Sequence, residues 1–138
     1  MKQKKIIRCP YCGRPAVLRS ASDVYKDTKR IGYVYTCSNY PACDAYVGTH
    51  PGTKIPLGTL ANAELRKKRI QAHQTFDLLW KYQIFSRDDA YRWLAEKMGL
   101  PLQEAHIGHF SEFYCDQVVS VCKQVLQNNL RQHVAFGG

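Results

Sequence analysis

Four cysteines, Cys9, Cys12, Cys37 and Cys43, stand in a C-x2-C-x24-C-x5-C pattern. A tetrahedral zinc ion takes four donors of this kind, with sulfur at about 2.3 Å. A C-x2-C pair supplies two of them from one tight turn. Here that turn is Cys9-Pro10-Tyr11-Cys12-Gly13, in which Pro10 fixes φ and Gly13 can take the positive φ by which the chain leaves the knuckle. The second pair closes a longer loop, Cys37-Ser38-Asn39-Tyr40-Pro41-Ala42-Cys43. Four thiolates leave no position open for water, so the spacing predicts one structural Zn2+ rather than a catalytic one. His50, seven residues past Cys43, is a spare donor that a closed shell does not need.

Positioning four sulfurs around one ion requires two knuckles joined by a hairpin. Ala16-Val17-Leu18 and the alternating run Ile31 to Cys37 read as its strands, and Ala45-Tyr46-Val47 as a short third strand. The spacer around Asp23 to Arg30 reads as an extended hairpin tip. Residues 51–59, with prolines and glycines, read as an ordered connector after a ribbon spanning 1–50. Residues 60–138 then read as an all-α unit of about three helices. Thr59 is the expected N-cap of a helix from Leu60 to about Tyr82, with Ala61, Leu65, Ala72, Phe76 and Leu79 inward. Ser86 opens a second helix ending at Gly99, and Ser111 a third from Glu112 to about Asn128. Cys115 and Cys122 fall on the apolar stripe of that last helix and read as small buried hydrophobes. His106 and His109 flank Gly108 on an expected turn, where His106 satisfies backbone groups in preference to ligating a metal. The fold class is therefore α+β.

The motifs Cys9-Pro-Tyr-Cys-Gly and Cys37-Ser-Asn-Tyr-Pro-Ala-Cys43 resemble the C-terminal four-Cys zinc fingers of bacterial type I topoisomerases. Their pattern is C-P-x-C-G, a basic strand, then C-S-x-Y-P-x-C, and the resemblance, which covers about residues 8–48, implies single-stranded DNA binding. The 24-residue spacer is longer than the usual one. The whole chain also resembles a family of small zinc-finger-containing proteins of unknown function, common in bacteriophages and prophages. That resemblance rests on the ribbon followed by Gly58-Thr59-Leu60-Ala61, Leu65-Arg66, His73, Phe76-Asp77, Trp80, Tyr91-Arg92-Trp93-Leu94 and His106-Ile107-Gly108.

Charge is concentrated at one end. Fourteen of the 20 basic side chains but four of the 11 acidic ones lie in residues 1–70, a net +10, while the remainder is −1. A field this lopsided suits a polyanion, and nucleic acid is the commonest one in the cytosol. Six of the nine tyrosines lie in the ribbon, interleaved with basic residues. Aromatic faces stack unpaired bases while Lys and Arg follow the phosphates. The expected contacts are Arg14, Arg19, Lys26, Lys29, Arg30, Tyr33 and Tyr35, the two tyrosines sharing a face by period two, together with Arg66, Lys67 and Arg69 on the following helix.

Other function classes fare less well. No apolar run approaches the roughly 20 residues of a membrane span, and the basic start lacks a signal-peptide core, so a cytoplasmic protein is expected. The carboxylates are scattered, and no G-x-x-x-x-G-K-[ST], G-x-S-x-G or H-E-x-x-H motif occurs, so no enzyme is expected. The helix from Glu112, with one Lys and two acids, does not suit the major groove. The expectation is a zinc protein that binds nucleic acid, single-stranded DNA foremost. The alternative is a phage-type interaction module that docks on a host nucleic-acid enzyme, such as a CRISPR nuclease or RNA polymerase, with Trp80 or Trp93 as anchor.

Overall fold

A computed structural model describes residues 6–136 of the 138. Lys2, Lys4 and Lys5, which enter the charge balance, lie outside the described residues. The chain divides into two compact units after Arg66.

The first unit is built on a three-stranded antiparallel sheet in the order β1-β2-β3, with β1 at Ala16–Ser20, β2 at Tyr33–Cys37 and β3 at Tyr46–Gly48. Ala16 pairs with Cys37 and Leu18 with Tyr35, while Thr36 pairs with Tyr46. Strand alternation therefore sends Ala16, Leu18, Tyr35 and Cys37 to one face and Val17, Arg19, Val34, Thr36 and Tyr46 to the other. Cys9, Cys37, Ala45 and Leu60 form a small core, against which Ile7, Ala16, Tyr35, Cys43 and Val47 pack.

Two expectations change here. The spacer is not simply an extended tip, because Ala21–Tyr25 forms a one-turn helix, α1, closed by Lys26 at φ 53. The connector 51–59 lies along the sheet. The chain turns back at His50–Ile55 and runs beside β3, with Leu57 donating to Gly48, and Tyr46 and Ala61 exchanging backbone bonds of 3.0 and 3.1 Å. Leu60 is consequently core of the first unit rather than the first turn of a helix.

Helix α2 spans Ala63–Lys81, and the division of the chain falls within it. Its N-cap is Asn62, three residues after the expected Thr59: the Asn62 Oδ1 accepts the Leu65 N–H at 3.0 Å. In the second unit α3 spans Arg87–Met98 and α4 spans Glu112–Phe136, separated by 3-10 turns at Leu102–Glu104 and Ile107–His109. Ser86 caps α3 by accepting from the Asp89 N–H, and Gly99 ends it at φ 66, as its sequence implies. Ser111 accepts from the Tyr114 N–H, but α4 runs past the expected Asn128. Ala72, Phe76, Leu79, Ala90, Leu94, Ile107, Phe110, Cys115, Val118 and Cys122 are buried, and Phe76 meets Tyr91 edge-on at 4.9 Å. Both cysteines on α4 thus take the core positions their stripe predicts, and burial pushes the Cys122 thiol up to about 12. No helix among the described residues is long and apolar enough to cross a membrane.

Candidate metal centre and ribbon surface

The first knuckle is held by its own backbone. The Gly13 N–H donates to Cys9 O at 2.9 Å, the Cys9 N–H to Arg14 O at 2.8 Å, and Gly13 sits at φ +73. In the second knuckle the Tyr40 N–H donates to Cys37 O, and the Asn39 N–H points at the Cys37 sulfur from 3.4 Å. These turns bring all four sulfurs within 4.8 Å of one another, with Cys9–Cys43 at 3.6 Å and Cys12–Cys37 at 3.2 Å. A tetrahedron with Zn–S of about 2.3 Å has sulfur–sulfur edges of about 3.8 Å, so the set fits one zinc ion. Amide donation from Arg14 holds the Cys12 thiol down to about 7, whereas burial pushes Cys37 up to about 12 and also raises Cys9, so zinc must displace protons that two of its four ligands hold tightly. With four thiolates the ion is structural: it cross-links the two knuckles of a unit whose core is otherwise a few side chains.

Residues beside the ligands tie this centre to α2. The Asn62 N–H donates to the Tyr11 hydroxyl at 3.1 Å, and the Ala63 N–H to Asp44 Oδ2 at 3.0 Å. Arg66 donates to the carbonyls of Asp44 and Ala61 at 2.7 and 2.6 Å and pairs with the Asp44 carboxylate at 3.5 Å. Its guanidinium also lies 3.8 Å from the Tyr46 ring centre. Sequence reasoning missed Asp44 and Asn62. The available signal was Asn62 followed by an acidic first turn at Glu64.

The expected nucleic-acid contacts fall into two groups. Arg14, Arg19, Lys26, Lys29, Arg30 and Tyr33 are exposed on the first unit, and Lys67 is exposed on α2. Arg19 donates through Nε to Thr36 Oγ1 at 3.0 Å, and Arg30 stacks 4.2 Å from the centre of Tyr25. Tyr33 is 41% exposed, with Lys54 Nζ 5.5 Å from its ring centre. Arg66, Arg69 and Tyr35 are instead engaged within the fold. Arg66 is bound as above. Arg69 is buried, its Nε–H donating to Phe110 O at 3.1 Å. Tyr35 is half-buried against the cysteine core and donates its hydroxyl to Lys54 O at 2.7 Å. It therefore forms no shared open platform with Tyr33. Lys68, from the same basic run, is paired with Asp116 at 2.7 Å. Helical geometry spreads the run Arg66 to Arg69 into separate structural roles, so it is not one basic patch.

Tyr46, on the short third strand, is a ring on which several groups of the second sheet face converge. Tyr25 meets it edge-on at 5.8 Å and Tyr40 at 6.3 Å. Burial raises the Tyr25 hydroxyl above its ordinary value. His50 takes no part in the cysteine cluster, and no group that adds His106 or His109 to a third donor is brought together among the described residues.

No curated protein and no solved structure matches the chain. The model of the zinc-finger-containing domain family DUF3268 matches residues 5–125, a span that takes in the four ligands, α2 and α3 and most of α4, and the chain belongs to that family.

Proposed function

We propose that this protein binds nucleic acid, single strands in preference to duplex, through the surface of its zinc-bearing unit. The observation that carries the reading is the exposed set Arg14, Arg19, Lys26, Lys29, Arg30 and Lys54 on this unit, of which Arg30 lies 4.2 Å from the centre of the Tyr25 ring and Lys54 Nζ 5.5 Å from that of Tyr33. Cations beside aromatic rings supply both halves of single-strand binding, phosphate neutralisation and base stacking. The similarity of the two knuckle motifs to topoisomerase fingers supports the same ligand. In this role the protein holds a strand and performs no chemical step. Its place is the cytoplasm, as for a small phage-type protein.

Fluorescence anisotropy with labelled single-stranded and duplex oligonucleotides, at about 50 and 200 mM salt, tests this. Tighter single-strand binding that falls by about tenfold or more at the higher salt is expected. No binding to either at the lower salt overturns it.

A second reading draws on the helical unit. Tyr82, Ile84, Leu126, Asn129 and Leu130 line a groove of about 470 Å3, with Tyr82 68% and Leu130 65% exposed. A host nucleic-acid enzyme offering an apolar side chain would dock there. The anchor would be Tyr82 or Leu130, because Trp80 and Trp93 are both partly buried, Trp93 against Phe85 at 5.7 Å. A pull-down in which Leu130→Asp abolishes capture, while Arg30→Ala does not, favours this reading.

A further inference from the structure

A groove of about 520 Å3 opens at the end of the sheet, walled on one side by α1 and the chain entering β2 and on the other by the turn 48–53. Its volume lies within the range of small-ligand clefts. The wall exists because of the long spacer: α1 and the segment 26–32 occupy the extra length between the two cysteine pairs. Gly32 passes the lip at φ +97, a conformation that side chains other than glycine's make strained.

The chemistry inside is of two kinds. Ile31, 93% exposed, and Tyr33, 41% exposed, offer apolar surface. Arg30 and His50 offer donors, and Lys26, Lys29 and Lys54 stand exposed on the adjoining segments. The two tyrosines of the groove differ in what they leave free. Tyr25 is engaged: Arg30 lies 4.2 Å from its centre and Tyr46 meets it edge-on. That stack fixes the Arg30 guanidinium at the groove wall, ready for a phosphate. Tyr33 has the Lys54 Nζ 5.5 Å from its ring centre, and with the exposed Ile31 two residues before it keeps apolar surface for something flat. A nucleotide joins a flat ring to an anion in this way.

We propose that this groove is a subsite for one unstacked base of a single strand, its base against Tyr33 and Ile31 and its phosphate at Arg30. The inference rests on the nucleic-acid reading above and deepens it.

The test compares a fluorescein-labelled dT octamer with an octamer of abasic sites carrying the same phosphates, each titrated with the zinc-loaded full chain at about 50 mM salt. Binding of the dT strand about tenfold or more above the abasic one is expected. Ile31→Ser and Tyr33→Leu each shrink that ratio, while the abasic strand binds them as it binds the parent. Ile31→Ser alters a side chain almost entirely in solvent, so it keeps the test valid if Tyr33→Leu loses zinc. Equal binding of both strands overturns the base subsite and leaves the nucleic-acid reading standing. An undiminished ratio in Ile31→Ser places base contact elsewhere and also overturns it. Binding of neither strand removes the reading on which it rests.

Discussion

The backbone N–H of Asn62 donates to the hydroxyl of Tyr11 at 3.1 Å, joining the residue that caps α2 to the one lying between two metal ligands. The first N–H groups of a helix have no partners within it. In α2 they find the Asp44 carboxylate at Ala63 and the Asn62 side chain at Leu65, while Tyr11 holds the cap itself. The start of the helix is therefore built onto both knuckles. Removing zinc with a chelator should speed amide exchange at Asn62, Ala63 and Leu65. Tyr11→Phe should speed it chiefly at Asn62 with zinc still bound. Asn62→Ala should cost about 1 kcal/mol, read from denaturant unfolding.

The six cysteines should separate into two chemical classes. In the zinc-loaded chain a thiol reagent should find few reactive groups, because Cys115 and Cys122 are buried and the other four are ligands. Chelation should release four, and denaturation the last two. Cys37→Ser should lower bound zinc below one per chain, whereas Cys122→Ala should leave it unchanged and lower stability.

Removing single charges should divide the arginines. Arg30→Ala and Arg19→Ala should weaken strand binding and reduce the salt slope, each by about 0.7 for a lost phosphate contact. Arg69→Met should leave the slope unchanged and destabilise the second unit by about 1–3 kcal/mol, since Phe110 O loses a buried donor.

Burial, then the neighbouring His106 and Arg69, lower the His109 pKa below its ordinary 6.5. The unfolded chain therefore takes up this proton first as the pH falls. The second unit should keep the His109 contribution above pH 6.5 and lose it progressively as the pH drops towards the folded value. His109→Gln should flatten the acid side of the thermal-midpoint profile over that window.

The amino-acid sequence alone determines the metal centre and the helical core. Cys-x2-Cys beside Pro10 and Gly13 forms a turn by local geometry, and the stripe Ala72, Phe76 and Leu79 records which side of α2 must leave water. Ser86 and Gly99 mark the ends of α3 because caps act within one turn. Tertiary structure decides the rest. Thr59 and Asn62 are both good caps, and the pairing of Ala61 with Tyr46 keeps the chain extended until Asn62. Tyr33 and Tyr35 look alike in sequence, but only the chain returning through Lys54 engages the Tyr35 hydroxyl and leaves Tyr33 exposed. Arg66, Lys67, Lys68 and Arg69 read as one charge cluster, yet their fates depend on Asp44, Asp116 and Phe110, all more than 20 residues distant. Local propensities and ligand spacing are properties of short segments. Which cation stays free for a ligand depends on where remote carbonyls and carboxylates come to lie.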